Sequence, residues 1–154
     1  MVIYDNPRAW RVRIAQAAIW IFGALIVWLA FFSNGRVESE GEQIFVWVTG
    51  ALAALIMAST EIYLRAYVVK MRLNGGLHIR TLSFFGERKL VVDPAKVSLG
   101  RERHDVWNWR TIVDNYWIPL NAPNELLPLI VDTTAAAINM QALERAARRR
   151  NNAA

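Results

Sequence analysis

The side chains that could do chemistry in this sequence are few and far apart. The two histidines, His78 and His104, lie in separate segments, and neither belongs to a known metal-binding spacing. Asp105 follows His104, but no nucleophile stands beside this pair. Glu61 lies near the end of an apolar run, where it could act as an intramembrane carboxylate or pair with Arg65 one helical turn later. These positions predict no catalytic residue, and we expect a protein that is not an enzyme.

Cofactor and metal motifs are also missing from the sequence. The chain has no cysteine, which excludes disulfides, thiolate metal sites and cysteine nucleophiles. Gly75-Gly76 is typical of a hairpin turn, and the chain has neither a GxGxxG nor a Walker motif. We therefore expect no cofactor, no metal and no small-molecule substrate. A bound anionic phospholipid such as cardiolipin would fit the basic residues.

Composition favours a membrane over a nucleic acid as the partner of the basic residues. The 154 residues include 18 Lys and Arg against 13 Asp and Glu, a formal net charge of +5. Hydrophobic residues make up 55% of the chain, above the roughly 45–50% of soluble proteins. No nucleic-acid-binding motif accompanies the charge. Membrane topology and an anionic lipid surface explain the excess better, and we expect no nucleic-acid partner.

Two apolar runs are long enough to cross a membrane. Residues 14–32 contain no charged side chain, and residues 44–64 contain only Glu61. About twenty helical residues cover a hydrocarbon core of about 30 Å. The first run exceeds the apolar part of a signal peptide, roughly 7–15 residues, and lacks a small-residue cleavage site after it. The sequence therefore predicts two retained spans.

The charges around the spans predict their orientation. The link at residues 33–43 is short and carries three glutamates against Arg36, so the spans form an antiparallel hairpin. Basic residues flank the outer ends of both spans: Arg8, Arg11, Arg13, Arg65, Lys70 and Arg72. The positive-inside rule then places both termini in the cytoplasm of a bacterium or in the mitochondrial matrix.

Small residues in the spans predict close helix packing. Gly50, Ala54 and Ala58 recur every four residues in the second span, and Gly23 offers a similar notch in the first. Such residues let helix backbones approach closely in lipid. They could form a docking face for the helices of a partner or the contact between the two spans of this hairpin.

The rest of the chain predicts a small antiparallel β domain with a C-terminal helix. We divide the chain into a basic lead at 1–13, the transmembrane hairpin at 14–64, a β-rich domain at 65–138 and a basic helix and tail at 139–154. Short strand-like runs are separated by turn residues, which favours antiparallel pairing. They lie at 67–73, 77–84, 89–93, 97–99, 116–120 and 126–132. The fold class is therefore membrane α + β.

Details of two of these segments can be tested in a structure. Pro119 suits an edge strand or a strand end because it lacks an N–H group. Asn139 can cap the final helix, and Met140, Leu143 and Ala147 share the face expected to pack on the sheet.

Basic and aromatic residues outside the spans are candidate lipid or partner contacts. They are Arg11, Arg13, Arg65, Trp107, Trp109, Arg148, Arg149 and Arg150. The two tryptophans lie in the charged segment 100–115, where they could touch a membrane surface or fold back onto the sheet. The terminal arginines could hold lipid headgroups or an acidic partner, or form a solvated tail.

The order of these features resembles the mitochondrial two-span assembly-factor superfamily. Its members assist assembly of the ATP synthase c-ring, cytochrome c oxidase and complex I. The resemblance lies in residues 2–8 (VIYDNPR) before the first span, residues 75–81 (GGLHIRT), Phe85-Gly86, residues 129–132 (LIVD) and residues 138–143. Segment 100–115 has no counterpart in it.

The resemblance implies an accessory or assembly subunit of a respiratory membrane complex. Cytochrome c oxidase or its supercomplex is the preferred complex, and ATP synthase is next. The partners would be membrane-embedded subunits and phospholipids, and the location would be the mitochondrial inner membrane with both termini in the matrix. The alternative is a pleckstrin-like β-domain protein of a bacterial inner membrane, which would assist assembly of a photosynthetic or other membrane complex.

Overall fold

The chain folds into two compact units. The computed structural model describes residues 1–33, 39–106 and 114–151. The helical unit comprises Trp10–Tyr63. The β unit combines Met1–Ala9 with Leu64–Ala154. The N-terminal segment, expected to be a basic lead, therefore belongs largely to the β unit.

The helical unit is a hairpin of two long apolar helices, which confirms the predicted hairpin. Helix α1 spans Ala9–Ser33 and α2 spans Glu40–Ala66, so both extend beyond the apolar runs. Their apolar windows have mean hydropathies of 1.9 and 1.7 and are only 11% and 6% buried. By length and composition they are two candidate membrane spans, and their exposed apolar surface suggests membrane integration.

Polar residues at the ends of α2 account for its limits. The Ser39 hydroxyl accepts a hydrogen bond from the Glu42 amide at 3.2 Å, as an N-cap does. Glu40 and Glu42 lie in the first turn and Arg65 in the last, where each charge suits the helix dipole. The middle of the predicted link, residues 34–38, lies outside the described residues.

The first sheet of the β unit has four antiparallel strands in the order β1-β2-β3-β4. The strands are β1 (Val2–Asp5), β2 (Val68–Leu73), β3 (Leu77–Ser83) and β4 (Gly86–Val92). Gly75, with a φ of 67°, supplies the left-handed residue of the β2–β3 turn. The predicted hairpin at this turn is confirmed, and the third predicted strand begins at Gly86 rather than Lys89.

The second sheet is built around β7. Its strands are β5 (Ser98–Leu99), β6 (Arg103–Val106), β7 (Asp114–Asn121) and β8 (Leu129–Asp132). Strand β8 pairs antiparallel along one edge of β7, and the short strands β5 and β6 pair along the other. A parallel bridge between Tyr67 and Ile130 joins the second sheet to the start of β2. The predicted antiparallel β domain is confirmed.

Pro119 lies in a central strand, so its prediction as an edge or strand-end residue is wrong. It pairs with Ile130 of β8 on one side. On the other side, the ladder is interrupted between β5 and β6, where Gly100 donates its amide to the Pro119 carbonyl at 2.8 Å. A proline is tolerated here because this edge of β7 lacks a continuous ladder.

Helix α3 (Met140–Asn151) packs on the β unit, with contacts to β1 and to the short 3-10 turn at Pro94–Lys96. The Asn139 side chain accepts a hydrogen bond from the Ala142 amide at 3.1 Å, which confirms the predicted cap. Ala142 and Leu143 are buried, whereas Met140 is 38% exposed. The packed face is therefore rotated from the predicted one, and Met140 lies at its margin.

The core lies between the two sheets and α3. Its members are buried apolar side chains from six elements: Ile3, Tyr4, Val68, Met71, Leu77, Ile79, Leu120, Leu129, Val131 and Leu143. Burial of this apolar surface holds the β unit together.

Candidate functional site

Two glycines of the hairpin, Gly23 and Gly50, face the contact between its two helices. A Cβ atom at Gly23 would lie 2.5 Å from the Met57 sulfur, and one at Gly50 would lie 3.3 Å from the Ala30 Cβ. Trp20 donates its indole N–H to the Thr60 hydroxyl at 3.2 Å across the same contact. These two glycines therefore act within the hairpin, which is one of the two roles that the sequence left open.

The alanines of the predicted small-residue stripe lie elsewhere. Ala54 and Ala58 are exposed, whereas Ala53 is buried. Ala54 and Ala58 line an apolar groove of about 610 Å³, together with Trp20, Ala24, Val27, Trp28, Phe32 and Met57. The stripe therefore divides: Gly50 packs inside the hairpin, and the alanines remain available to lipid or to another helix.

The outer face of the first sheet carries a basic patch that the sequence analysis did not single out. Lys70 lies opposite Arg80, which lies opposite Lys89, and Arg72 lies opposite His78. Residues directly opposite in adjacent strands present their side chains on one face. These five residues, called the basic face below, line a shallow cavity of about 190 Å³ with Asn74, Ile79 and Leu90.

Only part of the charge of the basic face is compensated within the β unit. Lys70 pairs with Asp5, and Arg80 pairs with Glu87 at 3.1 Å. Arg72 and Lys89 form no ion pair with any residue in the described part of the chain. Both are exposed, so the face retains cationic groups that can bind a phosphate or carboxylate surface. Alternating cations along residues 70–72 and 78–80 were the signal in the sequence for this patch.

The predicted contact residues are distributed over both units. Arg11 lies over the Trp10 ring at 5.6 Å, and Arg13 donates to the Gln16 side chain at 3.0 Å. Arg65 is exposed in the last turn of α2.

The structure tests the other predicted contacts only in part. Arg148 is exposed on α3, and Arg149 and Arg150 belong to the same helix. Trp107 and Trp109 lie outside the described residues, so their predicted surface role stays a prediction.

A buried polar network joins the N-terminal strand to the start of β2 and to β8. Tyr67 accepts a hydrogen bond from the Asn6 side chain at 2.9 Å and donates its hydroxyl to the Asp132 carboxylate at 2.9 Å. Tyr4 donates its hydroxyl to the Asp132 carbonyl at 2.8 Å. Two distant parts of the sequence, residues 2–8 and 129–132, thus meet in one cluster.

The surroundings of this network also shift the pKa of one member, Tyr4. Burial raises the pKa of the Tyr4 hydroxyl, and the negative charge of Asp132 raises it further. Tyr4 is therefore neutral at every physiological pH, and its role is structural.

Each of the two histidines contacts a neighbouring group within the β unit. His78 contacts the Asn74 carbonyl at 3.0 Å beside the β2–β3 turn. The His104 ring stacks on Tyr116, with centroids 4.2 Å apart. Within residues 1–33, 39–106 and 114–151, no group of three His, Asp or Glu side chains could hold a metal ion.

Comparison with known proteins leaves the family of this chain open. No protein-family model matches the chain, and no curated protein matches it by sequence. The resemblance to the two-span assembly factors therefore stays a hypothesis based on the residues quoted for it.

Proposed function

We propose that this chain is a non-enzymatic accessory or assembly subunit of a membrane protein complex. In this account α1 and α2 anchor it in the bilayer, and the basic face binds an acidic surface of a partner subunit or anionic phospholipid. The observation that carries the proposal is the exposed apolar surface of both helices, whose windows are only 11% and 6% buried. A soluble protein would bury such helices in its core.

The β unit supports the second half of the proposal. It presents Arg72 and Lys89, which form no ion pair within the described residues, on a face that comes soon after the anchor in the chain, since Lys70 comes four residues after the end of α2. A cationic face tied to a membrane helix in this way suits anionic headgroups or the acidic surface of a membrane-bound partner.

The resemblance to two-span assembly factors favours a complex of the respiratory chain. Cytochrome c oxidase or its supercomplex is preferred, then ATP synthase, in the inner mitochondrial membrane with both termini in the matrix. A second candidate is favoured by the fold of the β unit, in which two antiparallel sheets precede a packed C-terminal helix. This order suits a pleckstrin-like β domain that assists assembly of a photosynthetic or other complex in a bacterial membrane.

Native electrophoresis of membranes solubilised in mild detergent, followed by mass spectrometry, tests this proposal. The full chain should migrate with cytochrome c oxidase, ATP synthase or another large complex. Comigration with a photosynthetic complex would favour the second candidate. Recovery of the chain only as a free monomer, both in mature membranes and while complexes are being assembled, would contradict both.

Charge reversal tests the role of the basic face within the same experiment. Arg72→Glu with Lys89→Glu should sharply reduce the amount of complex that copurifies, because the two uncompensated cations are lost. The matched control is Lys96→Glu with Arg101→Glu, which changes the net charge equally at two exposed positions elsewhere on the β unit. Equal losses in the two double variants would contradict a specific role for the face.

A further inference from the structure

Two loops of the β unit carry large apolar side chains that are exposed to solvent. Phe85, in the β3–β4 turn, is 94% exposed. Leu126 and Leu127, in the loop between β7 and β8, are 103% and 54% exposed. The sequence analysis assigned residues 126–132 to a strand, but only Leu129–Asp132 is one. Three exposed apolar side chains at loop tips, where polar residues are usual, suggest a contact surface.

The β3–β4 turn does not need phenylalanine for its own geometry. Ser83 pairs with Gly86, so the turn has two residues, Phe84 and Phe85. Two-residue hairpin turns favour residues such as Asn, Asp and Gly. The two rings pack edge to face, with centroids 4.4 Å apart. The Phe85 ring is the one exposed to solvent. A residue that departs from the local turn preference and projects into solvent is a candidate for function.

Both loops lie at one end of the β unit, the end where the chain arrives from α2. Tyr67 donates its amide to the Leu64 carbonyl in the last turn of α2 at 3.0 Å. Strand β3 runs back toward this point, and the Leu82 amide donates to the Tyr67 carbonyl at 3.2 Å. The turn at Phe85 therefore lies at the same end of the first sheet as Tyr67, the residue that follows α2 in the chain.

The second loop reaches the same end through β8. The parallel bridge between Tyr67 and Ile130 means that the residues before β8 lie on the same side as the residues before Tyr67. Leu126 and Leu127 are among them.

The start of α1 also leaves the β unit at this end. Asp5 of β1 pairs with Lys70, and the Asn6 amide donates to the Val69 carbonyl at 2.8 Å. Residues 6–9 therefore lead into α1 beside the first residues of β2. Both connections to the apolar helices and all three apolar side chains thus share one end of the β unit.

The negative charge of Glu125 in the second loop is neutralised by Arg88 of β4. The Glu125 carboxylate accepts two hydrogen bonds from the Arg88 guanidinium, at 2.7 and 2.9 Å, and is only 14% exposed. Such a bidentate pair removes much of the cost of bringing a carboxylate to an apolar surface. The loop is also held in shape, since the Glu125 amide donates to the Ala122 carbonyl across a turn in which Asn124 has a φ of 67°.

We propose that Phe85, Leu126 and Leu127 form a second membrane contact, inserted into the interfacial layer of the bilayer that holds α1 and α2. This inference rests on the proposed membrane anchoring and adds a lipid contact made by the β unit itself. The lipid surface is the occupant because the chain connects this end of the unit to both apolar helices within a few residues. Aromatic and leucine side chains in rigid loops suit the boundary between headgroups and acyl chains.

Site-directed spin labelling provides the test, because the full chain contains no cysteine to interfere. Three single variants, Phe85→Cys, Leu126→Cys and Asn74→Cys, are labelled with a nitroxide. Each is reconstituted as the full chain into phosphatidylcholine–phosphatidylglycerol vesicles. Asn74 is the matched control, because it is exposed in the β2–β3 turn at the opposite end of the first sheet. Collision rates with oxygen and with a water-soluble nickel chelate are measured for each label.

The expected result is an oxygen-to-nickel collision ratio several times larger at positions 85 and 126 than at 74. Ratios at 85 and 126 equal to that at 74 would overturn the inference. Protection of these two labels from both reagents would indicate a protein contact and would also overturn it. All three positions are exposed, so the substitutions leave the core intact, and circular dichroism checks the fold.

A fourth label separates failure of this inference from failure of the proposed anchoring. Leu55 is exposed in the middle of α2, so Leu55→Cys reports whether the hairpin lies in lipid. A lipid-exposed label at 55 with aqueous labels at 85 and 126 would refute the second contact alone. An aqueous label at 55 would refute the membrane anchor and the second contact with it.

Discussion

Tyr67→Phe should destabilise the β unit more than any other removal of a single hydroxyl in it. The Tyr67 hydroxyl stands at the centre of the buried polar network, where it accepts from Asn6 and donates to Asp132, both at 2.9 Å. Phenylalanine keeps the ring but removes both hydrogen bonds. The substitution therefore tests whether this network, rather than apolar packing alone, holds the N-terminal strand beside β2 and β8.

The size of the effect follows from the groups left behind. The Asn6 side chain is only 5% exposed, so its amide would lose its partner away from water. The Asp132 carboxylate would keep its bond from the Ala135 amide at 3.0 Å. A buried polar group that loses its partner costs about 1–3 kcal/mol; because Asp132 keeps one of its two partners, the expected total loss is about 2–4 kcal/mol. For a unit of this size that lowers the melting temperature by about 8 °C or more.

Thermal unfolding of the full chain in mild detergent, followed by near-ultraviolet circular dichroism, measures the loss. Hydrogen exchange of the Val2–Asp5 strand should also speed up, since Asn6, the next residue after this strand, loses its bond to Tyr67. Tyr116→Phe is the control, because Tyr116 is 42% exposed and phenylalanine keeps its stacking on His104. If Tyr67→Phe unfolds within about 0.5 kcal/mol of this control, the network contributes little and the reasoning is refuted.

Three further substitutions or conditions test other contacts. Thr81→Val should stabilise the β unit by about 1 kcal/mol in the same assay, because the buried Thr81 hydroxyl has no hydrogen-bond partner among the described residues. A variant less stable than the parent chain would contradict this prediction. Gly50→Leu should lower the temperature at which the far-ultraviolet circular dichroism of the helices is lost, because even a Cβ atom at Gly50 would lie 3.3 Å from the Ala30 Cβ. An unchanged temperature would place Gly50 outside the contact between α1 and α2. Burial and the charge of Asp132 raise the pKa of Tyr4, so ionisation of its hydroxyl favours the unfolded chain. The contribution of Tyr4 to stability is therefore complete below pH about 10 and is lost as the pH rises above that value. Tyr4→Phe should flatten this alkaline decline, and an equally steep decline would contradict the assignment.

The features that the sequence predicted well are those set by local signals. The two apolar helices follow from continuous hydrophobic runs, and the β2–β3 hairpin follows from Asn74-Gly75-Gly76. The cap at Asn139 depends on residues three positions apart. Each of these patterns lies within one segment, so no knowledge of distant contacts is needed.

The features that the sequence missed depend on distant pairing. Strand β1 has only four residues, and its partner β2 lies more than sixty positions away in the chain. Pro119 occupies a central strand because of a gap between β5 and β6, which no local pattern reveals. The apolar residues 126–128 predict part of a strand, but Pro128 and the turn at Asn124 leave them in a loop.

The candidate site shows the same division. Gly23 and Gly50 were identified by residue type, but only the structure shows that both face the other helix of the hairpin. Lys89 joins the basic face only through its pairing opposite Arg80, so its membership depends on the register of β3 and β4.

The central claim is that α1 and α2 cross a membrane as a hairpin. Its most direct test is labelling with a membrane-impermeant maleimide in sealed vesicles of known orientation, using the single variants Glu40→Cys and Asn74→Cys. Glu40 is exposed at the start of α2, and Asn74 is exposed in the β unit. The account predicts that the two positions react from opposite sides, with Asn74 on the cytoplasmic or matrix side, and that alkaline carbonate leaves the chain in the membrane. Reaction of both positions from the same side, or release of the chain by carbonate, would contradict it.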